Sequence, residues 1–478
     1  MIEATSFIFA RVKRKKFVLE NVPVSGYAAE GKALARIDRK VIFIEGAVPG
    51  DVADVFITKN KKDWAEGKAI EIKEQSKERV EPFCKHFGIC GGCKWQMLPY
   101  EKQVEYKEQE VKDVIKRIGK IDTSVLPIIG SEKTIHYRNK IEFTFSNKKY
   151  LTPNEFEDLG EDMWPGGALG FHVPKLYDKI IDIHECFLMD DVNNIIRNTL
   201  RDYAQKNNLS FYDIKEHKGF LRNVIIRNCT TGELMVNLFF GNEDKKEIEK
   251  IGNYLLQKVP SITTLLYTIN QKWNDSLENL EPKIFSGKGF VIEKLADFNF
   301  KISPKSFFQT NTKQAEVLYN VVKDFAALTG TETVYDLYCG TGSIGIFLSD
   351  KAKKIIGVDV IEDAIKDAKE NAELNNLQST NFFSGDVIEI CNDDFFASHG
   401  KPEVVVVDPP RAGLHQKLVN KLLEISSPKI IYVSCNVATQ ARDLQLMNEK
   451  YIVEKIQPVD MFPHTHHIES VALLSLRK

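Results

Sequence analysis

A cysteine follows a run of apolar residues late in the chain, in IIYVSCN at 430–436. A continuous apolar run bounded by polar residues is typical of a parallel strand covered on both faces. Ligands of open α/β sheets bind just outside the carboxyl ends of such strands, so Cys435 stands where a nucleophile could act. Free cysteines are also among the most often buried residues, and a purely structural thiol is the alternative.

A glycine turn between a strand and a helix, DLYCGTGS at 336–343, predicts a nucleotide site. Gly340 and Gly342 let the backbone approach a ligand closely. Three acidic residues lie at the ends of neighbouring predicted strands. Asp336 is suited to accept from an amino group, Asp359 from ribose hydroxyls and Asp386 from an adenine edge. There is no GxxxxGKS phosphate loop and no third glycine of a dinucleotide fingerprint. The pattern therefore favours S-adenosylmethionine, with a structural turn and coincidental acids as the alternative.

The segment DPPR at 408–411 ends the next predicted strand. Two prolines restrict the backbone and remove two donors, so we expect a rigid loop with Asp408 facing the ligand. Enzymes that methylate exocyclic amines usually carry an aromatic residue at the end of this loop, whereas this chain has Arg411. The loop therefore argues against an amine as the methyl acceptor.

Methyl transfer to a pyrimidine carbon would give Cys435 a role. C5 of a pyrimidine is a poor nucleophile until a thiolate adds to C6 and makes the ring enolate-like. A base must then remove the C5 proton before the thiol leaves. We choose Glu469 in MFPHTHHIES, because a carboxylate in a partly dry pocket can have a raised pKa. An ordinary strand-edge carboxylate is the alternative, and the spacing of the adjacent HTHH histidines does not favour a metal site.

The predicted secondary structure that positions these residues differs between parts of the chain. Residues 17–80 show short alternating runs broken by glycine, which predicts a small antiparallel barrel. YEKQVEYKEQEVKDVIKRIGKI predicts an amphipathic helix, and residues 125–300 mix strands (KIEFTFS, NVIIRN, ELMVNLFFG) with helices as in an α+β domain. From 306, TVYDLY, KIIGVDV, TNFFSGD, EVVVVD and KIIYVS alternate with helical stretches, which predicts a doubly wound parallel sheet.

Bulk composition narrows the class of protein. The 478 residues are 43% hydrophobic and 28% charged, as in an ordinary globular protein with several domains. A formal net charge of -2 provides no global attraction for nucleic acid, so any RNA-binding surface must be local. We found no stretch of about 20 apolar residues and no signal-peptide pattern, so we expect a cytoplasmic protein without a membrane segment. Eight cysteines are too few for a disulfide scaffold.

Three of these cysteines form a cluster in FCKHFGICGGCKWQ at 83–96, with the spacing C-x5-C-x2-C. They are Cys84, Cys90 and Cys93, and the next cysteine along the chain is Cys186. Three thiols are one short of a closed zinc or iron–sulfur site, which Cys186 could complete. The spacing alone does not distinguish among a zinc site, an iron–sulfur cluster and unrelated buried thiols.

Several of these motifs together resemble the RNA uracil-5-methyltransferase family: SFFQTN (306–311), DLYCGTG, DPPRAGL, IIYVSCNVATQARDL and MFPHTHHIE. LGFHVPKLYDKIIDIHEC and YRNKIEFTFS are similar to its central domain, and GKALARIDRKVIFIEGAVPGD to its TRAM barrel. The resemblance therefore covers nearly the whole chain. It implies 1–80 as a TRAM RNA-binding barrel, 81–305 as a central iron–sulfur and RNA-binding domain, and 306–478 as a class I methyltransferase domain.

The resemblance also implies roles for individual residues. Cys435 would be the nucleophile and Glu469 the base. The implied methyl-donor residues are Gln309, Tyr338, Asp359 and Asp408, to which the strand pattern adds Asp386. Many members carry asparagine after the glycine turn, where this chain has Ser343, and Cys339 within the turn is expected to be structural. The four cysteines Cys84, Cys90, Cys93 and Cys186 would bind a 4Fe–4S cluster.

The expected partner is RNA, with the chain acting as a monomer on a loop or single-stranded target, because the uridine must leave its stack to reach Cys435. RVKRKK (11–16), KNKKDW (59–64) and Tyr137, Arg138 and Asn139 are the candidate RNA contacts, although charge runs are commonly only solvated faces.

Barrel and cluster together favour 23S ribosomal RNA over transfer RNA, since bacterial tRNA enzymes of the family commonly lack both. The alternatives are a tRNA uracil-5-methyltransferase, an RNA cytosine-5-methyltransferase, a non-catalytic RNA-binding protein and a redox or radical enzyme. Cytosine enzymes usually carry a cysteine where Arg411 stands, and the CxxxCxxC run of radical enzymes is missing.

Overall fold

The structure is a computed structural model that describes residues 17–152, 155–157, 166–274, 276 and 278–478. The basic run at 11–16 lies outside the described residues. The chain forms two compact units. One contains the described residues up to Glu81 together with Met97–Lys102, and the other contains Pro82–Gln96 and Gln103–Lys478.

The first unit is a small barrel of six strands, as predicted for residues 17–80, but one strand pair is parallel where an antiparallel barrel was expected. The strands are β1 (Val18–Pro23), β2 (Gly26–Tyr27), β3 (Ala33–Ile37), β4 (Lys40–Glu45), β5 (Val52–Asn60) and β6 (Trp64–Glu74), with a 3₁₀ turn at Ala29–Gly31. Their order in the sheet is β1-β5-β6-β4-β3-β2. The first and last strands of the sheet, β1 and β2, are consecutive segments of one bent chain, and this closes the sheet on itself. Alternate residues such as Ile42, Ile44 and Val55 fill the interior.

The predicted amphipathic helix is α1 (Tyr100–Val114), whose residues from Gln103 onward belong to the second unit, and it continues as a wider turn over Ile115–Gly119. A seven-stranded sheet follows, in the order β10-β9-β8-β11-β12-β13-β14. Its strands are β8 (Lys140–Ser146), β9 (Ala168–Val173), β10 (Leu176–Asp182), β11 (Leu221–Asn228), β12 (Leu234–Phe240), β13 (Thr264–Ile269) and β14 (Lys283–Ser286). Helices α2 (Val192–Lys206) and α3 (Lys245–Lys258) bury apolar residues such as Ile196 and Ile251 in the same core.

A short hairpin, β15 (Val291–Leu295) and β16 (Phe298–Ile302), precedes the last sheet. The helices that follow are α4 (Thr312–Ala326), α5 (Ser343–Leu348), α6 (Glu362–Leu374), α7 (Val387–Ile390), α8 (Asp393–His399), α9 (Gln416–Ile425) and α10 (Val437–Met447). They alternate with strands β17 (Thr333–Leu337), β18 (Lys354–Asp359), β19 (Thr380–Ser384), β20 (Val404–Val407) and β21 (Lys429–Ser434), and β22 (Tyr451–Val459) and β23 (Glu469–Leu476) end the chain.

The last sheet has the order β19-β18-β17-β20-β21-β23-β22-β7, where β7 is Ser124–Val125. Strands β17 to β21 are parallel, and β23 runs antiparallel between β21 and β22. The chain moves outward from β17 to β19 and then returns to place β20 beside β17. The carboxyl ends of β17 and β20 therefore form the topological switch point at which such sheets bind ligands.

Strand β7 was not predicted as part of this sheet, because a two-residue strand has no periodicity to detect. Val125 pairs with Ile456 across more than 300 residues of sequence. The division of the second unit at residue 305 stays a prediction. Among the described residues, no helix has both the length and the hydrophobicity needed to span a bilayer.

Candidate active site

The glycine turn after β17 lies at the switch point. Tyr338, Gly340 and Gly342 all have positive φ angles, of 63°, 52° and 78°. A Cβ atom on Gly342 would lie 2.9 Å from the Phe382 ring, so the turn is packed against β19 and only glycine fits there. The Gly340 backbone N–H donates to Asp359 Oδ2 at 2.9 Å. The acid at the end of β18 therefore holds the turn in place.

Asp336 on β17 is fully buried below this turn. Its Oδ2 accepts from the Gly345 N–H at 2.8 Å, whereas Oδ1 has no hydrogen-bond partner. Burial, and to a smaller extent the nearby Asp408 and Asp359 carboxyls, raise the pKa of Asp336 to about 7. Burial also raises the pKa of Asp408 at the end of β20 to about 7. These two carboxyls would gain from a cationic ligand, and S-adenosylmethionine carries both an ammonium and a sulfonium group.

The rim of this site is more exposed. Asp386 is exposed at the start of α7, where its side chain accepts from the Ile388 N–H at 2.8 Å. Val360 and Ile361, directly after Asp359, are 58% and 59% exposed. These two apolar side chains offer a surface for the face of a flat ring such as adenine. Our sequence reasoning missed them, although two apolar residues directly after a strand-ending acid were a visible signal.

Gln309 lies in the segment between β16 and α4. Its backbone carbonyl accepts from Asn139 Nδ2 at 2.9 Å, so this segment is attached to the central sheet. Ser343, at the position where asparagine is common in the family, has its Oγ 2.8 Å from the Tyr319 hydroxyl. Tyr319 on α4 is buried, and its pKa is raised by burial and by the carboxyls of Asp408, Asp336 and Glu469. Tyr319 had not been identified, because nothing in the pattern of an amphipathic helix marks it.

Cys435 and Glu469 come together at the end of the antiparallel pair β21 and β23. Ser434 pairs with Ser470, so Cys435 and Glu469 are opposite each other one step beyond the last pair. Cys435 is half-buried and Glu469 is 6% exposed. Burial, and to a smaller extent the carboxyls of Glu469 and Asp408, raise the pKa of the Cys435 thiol. Burial and Asp408 raise the pKa of Glu469 well above its usual value.

Arg411 is the cation of this group. It hydrogen-bonds to Cys435 and lowers the pKa values of both Cys435 and Glu469, against the larger effect of burial. Its guanidinium lies 2.7 Å from His467 Nδ1, and its backbone carbonyl accepts from Asn436 Nδ2 at 3.0 Å. Sequence reasoning had used Arg411 only to argue against amine methylation. The structure places it between the thiol, the carboxyls and the histidine loop.

The loop from Asp460 to His467, which leads into Glu469, is anchored by two buried polar side chains of α1. Lys107 Nζ donates to Asp460 Oδ1 at 2.7 Å, and both side chains are completely buried. Gln103 accepts from the His464 N–H at 2.8 Å, and its Nε2 donates to the Trp95 carbonyl at 3.0 Å. The anchor therefore joins the loop before the candidate base to the segment that follows the cysteine cluster.

All four predicted cysteines line one pocket: Cys84, Cys90, Cys93 and Cys186. The rest of its wall is largely apolar, and burial raises the pKa values of Cys90 and Cys93 to about 11 and 12. Gly92 provides the close turn, since its N–H lies 3.4 Å from Cys90 Sγ. Within the part of the chain that is described, no three Cys, His, Asp or Glu side chains are arranged to hold a single metal ion. Four converging thiols nevertheless form the donor set that zinc and iron–sulfur clusters use.

The proposed RNA contacts at Tyr137 and Asn139 are wrong, because both side chains are only 7% exposed. The Tyr137 hydroxyl donates to the Pro463 carbonyl at 3.0 Å, and Asn139 Nδ2 donates to Thr312 Oγ1 at 2.8 Å. These residues hold the site together and have no free face for a base. Lys61 and Lys62 in the first unit are exposed, as an RNA contact requires.

Comparison with known proteins gives matches along the whole chain. Residues 279–477 match the tRNA (Uracil-5-)-methyltransferase family, and residues 13–70 match the TRAM domain. An uncharacterized RNA methyltransferase of Bacteroides thetaiotaomicron is 48% identical over 455 residues, covering 94% of this chain and 100% of the relative. One from Porphyromonas gingivalis is 44% identical, covering 94% and 98%.

A solved structure resembles the whole chain. The Pyrococcus abyssi tRNA (uracil-54, C5)-methyltransferase, in complex with S-adenosyl-L-homocysteine, superposes with a TM-score of 0.73 at 28% identity. The match covers 95% of this chain and 100% of that one.

Proposed function

Because this chain belongs to the RNA uracil-5-methyltransferase family, we propose that it methylates C5 of a uridine in 23S ribosomal RNA through a covalent adduct on Cys435. It is an S-adenosylmethionine-dependent RNA methyltransferase with an N-terminal TRAM domain. The non-catalytic alternative is thereby set aside. The target RNA and the roles of the individual residues are the proposal.

One observation carries the mechanism: Cys435 and Glu469 are opposite each other beside the carboxyl ends of β17 and β20. A thiol that adds to C6 and a base that takes the proton from C5 must act on adjacent atoms of one ring, so they must be neighbours. Neither residue has an evident structural role that requires this pairing. Glu469 is only 6% exposed, and burying a carboxylate destabilises the folded state unless the group is neutral or has a functional role.

The bonds change as follows. Cys435 Sγ bonds to C6 of the uracil, and the electron pair of the C5–C6 double bond becomes available at C5. C5 would take the methyl group of S-adenosylmethionine, whose bond between sulfur and the methyl carbon would break, leaving S-adenosylhomocysteine. Glu469 then takes the C5 proton, the C5–C6 double bond re-forms, and the Sγ–C6 bond breaks to release the Cys435 thiolate.

The charges around the pair fit this sequence of steps. Burial favours the protonated forms of Cys435 and Glu469, whereas the reaction needs a Cys435 thiolate and a Glu469 carboxylate, and Arg411 favours both anions. A carboxyl with a raised pKa is also a stronger base once ionised than an ordinary glutamate. Asp408 and Asp336 remain free to bind the methyl donor.

The four-cysteine pocket binds a 4Fe–4S cluster in this proposal. Support comes from the four thiols and from the arrangement of the site. Four cysteines in one pocket supply the number of thiolates that bind such a cluster. Protein purified without oxygen should be brown and contain about four iron atoms per chain; colourless protein with one zinc would contradict the cluster.

The target within RNA has two candidates. The TRAM barrel together with the cysteine pocket favours 23S ribosomal RNA. The full-length likeness to a tRNA (uracil-54, C5)-methyltransferase favours a uridine of transfer RNA. Mapping 5-methyluridine in both RNA classes from cells with and without the gene decides between them, since the site that disappears identifies the substrate.

The covalent step is tested with an RNA that contains 5-fluorouridine. Fluorine cannot be removed as a proton, so incubation with S-adenosylmethionine should leave a complex that survives denaturing electrophoresis. We expect Cys435→Ala to form no complex. Cys391→Ala removes a different buried thiol and should react like the wild type. An adduct that forms on Cys435→Ala would contradict the assignment.

A further inference from the structure

The side chain of Trp273 is 79% exposed, which is unusual for the largest apolar residue. It belongs to the loop after β13, in the segment 270–274. The indole is stacked on the imidazole of His217, with ring centroids 4.8 Å apart and planes only 7° from parallel. The other face of the indole is therefore open to solvent and has a defined orientation.

The loop that carries Trp273 is held by a buried arginine. Arg222 on β11 is 2% exposed and donates to the carbonyls of Asn270, Lys272 and Asn274 at 2.7, 2.8 and 3.2 Å. Asn270, also buried, accepts from the Lys272 N–H at 3.0 Å through its own side chain. A loop fixed by so many bonds loses little entropy when a ligand binds to its tip.

The second ring of the stack is fixed as well. His217 has a positive φ angle of 53°, an uncommon conformation for a residue with a side chain. Its Nδ1 lies 3.4 Å from the Tyr212 hydroxyl, and the Tyr212 ring packs against the Arg222 guanidinium at 4.0 Å. Backbone strain of this kind is found where a side chain must be presented in one orientation.

The surface around the stack is basic. Contacts join four segments here, 146–149, 172–180, 212–218 and 270–274, for example through Lys148 with Asp213 and Lys215 with Asp178. These four segments contain seven lysines and three acidic residues, so their net charge is +4, whereas the whole chain has a formal net charge of -2. A phosphate backbone is the partner that matches such a surface.

We propose that Trp273, backed by His217, is a stacking platform for an unpaired base of the RNA substrate, outside the methyl-transfer site. Aromatic faces combined with basic side chains are how proteins bind single-stranded nucleic acid. This inference rests on the proposed function, because it assumes that the substrate is an unpaired segment of RNA.

The length of strand β11 indicates how long an RNA must be to reach both the platform and the methyl-transfer site. At its far end the Asn228 N–H donates to the Asn139 carbonyl, and Asn139 holds Gln309. Arg222 lies six residues before Asn228, which is about 20 Å in a strand. That separation corresponds to about six stacked nucleotides at ~3.4 Å each. A stacked RNA of 4 nucleotides is shorter than this separation, whereas an RNA of 20 nucleotides can reach both places.

The test compares two oligouridylates, of 4 and 20 nucleotides, binding to the full-length protein. We expect Trp273→Ala to raise the Kd for the longer RNA about 5- to 150-fold, the range expected for loss of one stacked base. The Kd for the shorter RNA should rise less, because that RNA does not join the platform to the methyl-transfer site, and the unfolding midpoint should not change. Trp273→Phe should recover most of the affinity, because a phenyl ring still stacks. Ile284→Ala, an exposed apolar residue of the same sheet, is the matched control.

Tryptophan fluorescence provides an independent readout. The chain has four tryptophans, so the signal of Trp273 is the difference between the wild type and Trp273→Phe: quenching by the 20-nucleotide RNA should be smaller in Trp273→Phe while RNA still binds. Unchanged affinity of Trp273→Ala for the longer RNA would overturn the platform. So would a concentration-dependent dimer that this substitution dissociates without any effect on RNA. If the wild type neither binds nor methylates RNA, the proposed function fails instead.

Discussion

Replacing Glu469 by glutamine tests the order of events at the candidate active site. The amide has nearly the shape of the carboxylic acid but cannot accept a proton. If Glu469 is the base, Cys435 should still add to C6 and the methyl group should still reach C5. The C5 proton would then remain, and the enzyme would stay bonded to methylated RNA.

The expected size of the effect follows from the site. Positioned general bases contribute about 10²- to 10⁴-fold to a rate. Glu469 is 6% exposed, so water has little access to substitute for it, and we expect a loss of turnover near the upper end of that range. Folding should not suffer, because burial already favours the neutral form of this side chain and the amide is neutral at every pH.

Two isotopes separate the steps. With labelled methyl donor, Glu469→Gln should transfer about one methyl group per enzyme and then stop. With RNA that carries tritium at C5, it should release almost no tritium into water. Glu454→Gln, an exposed acid on the neighbouring strand β22, is the control and should behave like the wild type. Tritium release by Glu469→Gln at the wild-type rate would refute the assignment of the base.

Three further predictions concern Asp408, Lys107 and Arg411. Burial raises the pKa of Asp408 from 3.8 to about 7, so the contribution of this group to the stability of the folded state is most favourable below pH 4 and is lost as the pH rises to 7. Asp408→Asn should therefore raise the free energy of unfolding at pH 8, measured by urea titration, by up to about 4 kcal/mol, and it should impair methyl transfer. Lys107→Met leaves Asp460 buried without its cation, and we expect a loss of about 3–5 kcal/mol, partly recovered when Asp460→Asn is added. Arg411→Gln removes the cation that lowers the pKa of the Cys435 thiol, so the pH profile of 5-fluorouridine adduct formation should move to higher pH; an unchanged profile would contradict this role.

Local sequence patterns predicted much of the fold and the donor site. Strand-ending acids such as Asp359 and Asp408 could be located because parallel strands are continuous apolar runs, and ligands bind where these runs end. The turn at Gly340 and Gly342 could be found in the same way. Cys435 stood out because a polar, reactive residue directly follows a buried strand.

Other parts of the site left no local signal. Tyr319, Lys107 and Gln103 lie on helices whose sequence patterns show only which face is buried, and the polar atoms they satisfy belong to distant segments. Tyr137 and Asn139 looked like RNA contacts because polar and aromatic residues are typical of such surfaces. The structure buries both, since each bonds to a loop that lies more than 150 residues away in sequence.

The sequence alone therefore determined the kinds of element and the glycine turn, and it predicted Cys435 as the reactive thiol, because each depends on residues close together in the chain. Only the tertiary structure decided that Glu469 faces Cys435, that Arg411 hydrogen-bonds to Cys435 and that Cys186 joins the pocket of Cys84, Cys90 and Cys93. The physical reason is that strand order and register are set by packing among distant segments. No short window of sequence contains that information.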